Sequence, residues 1–152
     1  LEHRIGGLEK GEDGGVSYDP DNHEEMTHLR AQKVAGISKS LPPLQINGEK
    51  EGDLLVVGWG GTYGAISSAV GNLREEGFKV SSLHLRHINP LPDDLGQVMN
   101  GFKKVIVPEL NLGQLSHILR AEYLLDVISY GKVQGKPFKV TELREKFLEH
   151  LN

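Results

Sequence analysis

From Asp53 onward, short aliphatic runs alternate with stretches whose apolar residues recur every three or four positions. The runs Leu54 to Val57, Val80 to Leu85, Lys104 to Val107 and Asp126 to Tyr130 have strand length. Between them, Ile66, Ala69, Val70 and Leu73 make an i, i+3, i+4, i+7 stripe ended by Gly77, and Leu115, Ile118 and Leu119 mark a further helix. Pro92 with Asp93 and Asp94 opens a short helix, and Leu143, Phe147 and Leu151 give a last one with Thr141 as its expected N-cap. Strands separated by helices of this length imply βαβ crossovers. The pattern therefore predicts an α/β fold with a mainly parallel sheet covered on both faces.

The front third reads differently. Residues 1–18 contain five glycines and few large apolar groups, the composition of a linker or of an arm that another surface must order. Asp19 and Pro20 then supply an N-cap and a proline at the first helical position, where the missing N–H is harmless, and Asp21, Glu24 and Glu25 favour the positive end of the dipole. Met26, Leu29, Val34 and Ile37 follow at helical spacing, with Gly36 as the stop. Leu41-Pro42-Pro43-Leu44 is a stiff connector, and Leu44 to Ile46 can add a short edge strand. The expected division is 1–52 for arm, acidic helix and connector, and 53–152 for the α/β domain.

Composition excludes several chemistries. The absence of cysteine removes thiol nucleophiles, thiolate zinc sites and cysteine-ligated iron–sulfur clusters from this chain. Residues 1–52 hold 6 Lys/Arg against 10 Asp/Glu, whereas residues 53–152 hold 11 of each, so no basic face for nucleic acid emerges. No aliphatic run approaches the ~20 residues of a membrane span. A soluble, cytoplasmic protein is expected, and the opening on Leu1 with a glycine-rich arm suggests a piece of a longer polypeptide.

Two loops are candidates for function. Val56 to Ile66 reads VVGWGGTYGAI: Gly58, Trp59, Gly60, Gly61, Thr62, Tyr63 and Gly64 lie between a strand and a helix. A dinucleotide fingerprint requires G-x-G-x-x-G, but Gly58, Gly60 and Gly64 are one residue too far apart, and no Asp or Glu occurs between Glu76 and Asp93 to bind a ribose. Arg86 alone is slender support for a 2′-phosphate. The Gly-Lys-Ser/Thr of a P-loop is missing too. One reading is that the glycines permit positive φ and close packing while Trp59 and Tyr63 meet another domain or subunit. The other is an anion or small ligand at exposed N–H groups. The second loop, Pro108 to Leu115, carries Asn111 as an N-cap candidate, Gly113 for backbone access, and Gln114. If its strand neighbours the first, both loops flank one crevice. His84 and His87 would face opposite sides of a continuing strand and could not share a metal, His23 and His28 are five apart, and no serine sits in a nucleophile elbow.

Several segments, in order, resemble one family. Gly7-Leu8-Glu9, Ser17 to His23 (SYDPDNH) and Leu29 to Val34 (LRAQKV) are similar to the segment after the pyrimidine-binding domain in the alpha subunit of 2-oxoacid:ferredoxin oxidoreductases, particularly the 2-oxoglutarate type. Val57 to Ile66, Leu83-His84-Leu85-Arg86, Pro90-Leu91-Pro92, Gly113-Gln114-Leu115 and Gly135-Lys136-Pro137-Phe138 continue the match over nearly the whole chain. The resemblance implies a transketolase C-terminal-like domain, a three-layer α/β/α sandwich on a mixed five-stranded sheet, with a short antiparallel first strand and the first long strand central. It implies a holoenzyme that uses thiamine diphosphate and magnesium, oxidatively decarboxylates a 2-oxoacid onto coenzyme A, and passes electrons through an iron–sulfur cluster to ferredoxin. Cofactor contacts then belong to a beta subunit and to other alpha-subunit domains. No catalytic residue carries over position by position and no metal ligand is expected, while the two loops stay candidates for ligand or interface contact; the chain is expected to be a noncatalytic interface domain, and a small-ligand module binding an anion, nucleotide or coenzyme A fragment is the alternative.

Overall fold

A computed structural model describes residues 6–151. The chain divides into two compact units, Leu1–Leu41 and Pro42–Asn152.

In the first unit, α1 (Pro20–Gly36) starts as expected: Asp19 Oδ1 accepts from the N–H groups of Asp21 at 2.8 Å and Asn22 at 3.2 Å. The arm before it is ordered by α1 itself. Arg30 donates two hydrogen bonds of 2.9 Å to the Glu9 carboxylate, His23 Nδ1 lies 3.2 Å from it, and Asn22 Nδ2 donates to Lys10 O at 3.1 Å. Arg30 holds the Glu9 carboxyl below its ordinary range. No residue of α1 is buried, and Leu29, Val34 and Ile37 on its apolar stripe are exposed.

The second unit follows the alternation read from the sequence. Its elements are β1 (Ile46–Asn47), β2 (Gly52–Trp59), α2 (Tyr63–Glu75), β3 (Val80–Leu85), α3 (Leu95–Asn100), β4 (Phe102–Glu109), α4 (Gln114–Tyr123), β5 (Val127–Gly131) and α5 (Val140–Leu151). The sheet order is β1-β3-β2-β4-β5, with β1 antiparallel to β3 and the other pairs parallel. β2 is central, as expected. The connector and edge strand join the sheet because Ile46 pairs with Leu83 and Asn47 with Ser82, which is why the units part after Leu41.

Consecutive side chains of β2 point to opposite faces, so its unbroken aliphatic run serves two cores. Leu55 and Val57 pack with Leu95 and Met99 of α3 and Leu115 and Leu119 of α4. Leu54 and Val56 pack with Ile66, Ala69, Val70 and Leu73 of α2 and Leu143 and Phe147 of α5. Each large side chain so buried contributes about 1.5–3 kcal/mol. Three layers result, α/β/α.

Two local expectations shift. α5 begins at Val140, so Thr141 lies inside the helix; the Lys139 N–H is instead capped by Glu142 Oε2 at 3.0 Å. Ile118 is 47% exposed, and α4 buries Leu115, Ser116 and Leu119.

Candidate functional site

β2 and β4 are neighbours, their registered pairs including Leu55 with Val105 and Val56 with Ile106. From β2 the chain proceeds to β3 on one side, and from β4 to β5 on the other. The carboxyl ends of β2 and β4 therefore form the switch point of the sheet, where α/β folds open a crevice. Both candidate loops lie there.

The β4 loop is organised by Glu109, a residue the sequence reading left without a role. Its carboxylate is fully buried and accepts from the N–H groups of Leu115 at 2.8 Å and Ser116 at 3.0 Å. Trp59 Nε1 also donates to it at 3.3 Å, tying the two loops together. Asn111 Oδ1 accepts from Gly113 N at 2.7 Å and Gln114 N at 3.1 Å. The amides at the start of α4 are thus bonded within the domain, by a negative charge placed where the helix dipole favours one. Gly113 does not expose backbone as expected. It is buried, has φ of 94°, and a Cβ there would lie 2.6 Å from Ser129 Oγ. Capping is shared: Asn111 serves the approach and Glu109 the first turn. A strand-final acid six residues before a helical N–H is the signal that could have found Glu109.

The β2 loop is built otherwise. Thr62 is buried and its hydroxyl accepts from Trp59 N at 3.2 Å while donating to Trp59 O at 2.8 Å, closing a short 3₁₀ turn over Gly60–Thr62. Gly58 is packed so closely that a Cβ would lie 2.6 Å from Ile66 Cδ1. Gly60 has φ of 56°. Gly61 and Gly64 are exposed, lack positive φ, and face open space. Trp59 turns inward against the α3/α4 core, whereas Tyr63 is 61% exposed. Gln114 is exposed beyond the other loop.

Tyr63 meets the ring of His84 edge-on, with centroids 5.1 Å apart. Burial, and then the charge of Arg86, keep the His84 pKa below its ordinary value. β3 ends at Leu85, so the strand alternation does not extend to His87, and His84 and His87 line the same groove. Among the described residues, no three His, Asp or Glu side chains converge as a metal site, and no helix is long and apolar enough to cross a membrane.

Residues 52–143 match the family model of the pyruvate:ferredoxin oxidoreductase core domain II. The chain belongs to this family. It is 46% identical over 145 residues to the 2-oxoglutarate oxidoreductase subunit KorA of Mycobacterium tuberculosis, a match covering 94% of this chain and 22% of that protein. It is similar to the solved 2-oxoglutarate:ferredoxin oxidoreductase from Magnetococcus marinus, which has 2-oxoglutarate, coenzyme A and succinyl-CoA bound: TM-score 0.92, 35% identity, 99% of this chain and 27% of that one. A split-gene transketolase shares the fold at TM-score 0.54 and 19% identity, over 70% of this chain and 41% of its own. The chain spans about a quarter of the length of these two oxidoreductases. In this chain the domain has the three-layer transketolase-like fold, and a Trp59–Glu109 hydrogen bond crosses its switch-point crevice.

Proposed function

We propose that this chain acts as a noncatalytic interface domain of the alpha subunit of a thiamine-diphosphate-dependent 2-oxoacid:ferredoxin oxidoreductase. The enzyme would be cytoplasmic and take 2-oxoglutarate as its 2-oxoacid. Its reaction joins the 2-oxoacid and coenzyme A to give acyl-CoA and carbon dioxide, with two electrons leaving through an iron–sulfur cluster to ferredoxin. The remaining alpha-subunit domains and a beta subunit are the implied partners. The named activities of the Mycobacterium and Magnetococcus relatives support this reading of the whole enzyme.

The residues of this chain do not fit a diphosphate at the β4 rim. The amides that would hold one are already bonded to Glu109 and Asn111, and the absence of cysteine leaves no ligand for a cluster. On this reading thiamine diphosphate, magnesium and the cluster belong to other domains and subunits, and no chemical step runs through this chain. The same bonds weaken the small-ligand reading at residues 111–114.

One observation carries the interface role: nothing inside the domain asks for glycine at Gly61 or Gly64. A missing side chain that neither backbone angle nor crowding explains is what close approach by another body requires. Along α2, Gly64, Ser67, Ser68 and Gly71 continue this small-residue side away from the buried stripe. The exposed ring of Tyr63 beside Gly64 offers the aromatic anchor common at interfaces.

The test places Gly61→Arg in the complete alpha subunit, produced together with its beta subunit. The 152-residue chain carrying Gly61→Arg should melt like its parent. In the holoenzyme, subunit co-purification and 2-oxoglutarate-dependent ferredoxin reduction should fall roughly tenfold or more. Full assembly and activity with Gly61→Arg would refute the reading, as would 2-oxoacid oxidation by the 152-residue chain alone.

A further inference from the structure

A groove of about 780 Å³ opens between the Pro42–Asn47 stretch, the end of β3 and the first turns of α2. Its volume suits a small ligand. Leu44, Ile46, Ile66 and Leu83 give it apolar walls, while Arg86 and His84 stand on its lining. No Asp or Glu lines it, in a chain with 21 acidic residues and a net charge of −4.

Arg86 differs from its neighbours in kind. Among the described arginines, Arg30 bonds Glu9, Arg74 bonds Asn47, Arg120 bonds Val127 O and Arg144 bonds Glu76. Arg86, exposed at the end of β3 beside His84 and His87, makes no hydrogen bond or ion pair with any described residue. His84 is unpartnered too. Its Nδ1 is sealed from solvent without a hydrogen bond, on the side where a Cβ at Gly58 would lie 3.4 Å away. Nδ1 is thereby closed to any ligand, so a ring hydrogen bond to one must run through Nε2.

We propose that this groove binds a small molecule carrying a carboxylate or phosphate on an apolar body, with the oxyanion held by the Arg86 guanidinium and the His84 Nε2–H. A fork of guanidinium donors matches either oxyanion. The groups facing His84 are Arg86 on the same strand end, His87 beyond it and the uncharged Tyr63 from α2, so an arriving anion meets no carboxylate. The oxyanion offsets the Arg86 charge but not burial, and binding needs no second proton on the ring, which the enclosed Nδ1 has no partner to receive. The groove shares Tyr63 and Ser67 with the proposed interface, so binding is tested on the chain alone, where no partner covers it.

Titration with inorganic phosphate and with succinate, against chloride at matched ionic strength, follows ¹H–¹⁵N shifts of the backbone amides and of the His84 ring. One of the two oxyanions should give saturable shifts confined to residues near 63–67 and 82–87. Saturation by phosphate or by succinate identifies which headgroup is preferred. Arg86→Gln should weaken binding roughly tenfold, the loss of one charge-assisted contact, while Arg144→Gln should leave it unchanged. Shifts that chloride reproduces, that never saturate, or that survive Arg86→Gln would mean an adventitious ion only and overturn the proposal.

Discussion

At the carboxyl ends of β2 and β4 the chain makes the same strand-to-helix turn twice, by different means. After β4 the turn is closed from within: the buried Glu109 carboxylate takes the Leu115 and Ser116 amides, and Asn111 takes those of Gly113 and Gln114. After β2 the only internal brace a side chain gives the backbone, among the described residues, is the Thr62 hydroxyl, and Gly60, Gly61 and Gly64 around it face open space. A turn whose donors are consumed internally can support a neighbour but offers little to bind. A turn stripped of side chains leaves its surface available. The contrast assigns rigidity to one loop and contact to the other.

The largest test of this contrast is Glu109→Ala. It would leave two buried amides and the Trp59 indole N–H without their acceptor, and a loss of about 3 kcal/mol or more in urea denaturation is expected. A loss under about 1 kcal/mol would show that the β4 turn does not depend on its carboxylate. Next is Gly113→Ala, where φ of 94° and the 2.6 Å approach to Ser129 Oγ act together, for about 2 kcal/mol. The matched change Gly61→Ala, with neither obstacle, should stay within about 0.5 kcal/mol. Equal effects at the two glycines would erase the distinction between the loops.

A smaller effect concerns pH. His84, beside the β2 loop, and His150, in α5, are both held below the ordinary value of 6.5, in each case first by burial. A depressed base is neutral in the fold and takes its proton more readily when unfolded. Its contribution to stability is therefore full above about pH 6.5 and is lost as the pH falls below that value. Melting temperatures should be level from pH 8 to 7 and decline below 6.5, ahead of any loss from carboxylates such as Glu142 that Lys132 holds below 4.5. His84→Gln should shallow that decline; an unchanged slope would remove His84 from the account.

The sheet was legible because β2 announces itself. An unbroken Leu54–Val57 run can only be a strand buried on both faces, and the i, i+3, i+4, i+7 stripe of α2 returns the chain to a parallel neighbour. The neighbouring of the two loops followed from strand order. Glu109 did not, because its carboxylate is held by backbone amides and an indole N–H, so no oppositely charged residue marks it. Thr141 and Ile118 misled for a related reason. At α5 Glu142 caps Lys139 while paired with Lys132, ten residues away, and at α4 Ser116 turns inward to bond Gly113 O, so neither place falls to the residue that apolar spacing or N-cap preference picks.

The smallest effect is the most discriminating, because its sign should differ between the free domain and the assembled enzyme. Gly64 sits in the first turn of α2, with no positive φ and nothing within 4 Å of the position a Cβ would take. Alanine there narrows the unfolded ensemble without straining the fold, so Gly64→Ala should stabilise the 152-residue chain by about 0.5 kcal/mol. If another body packs against that turn, the same methyl group intrudes on the contact, and the complete alpha and beta subunits should associate more weakly. A variant that is more stable alone yet poorer in assembly would tie the glycine to the interface. Improvement in both measurements would show that the turn faces only water, and the contact role of the β2 loop would pass to Tyr63 alone.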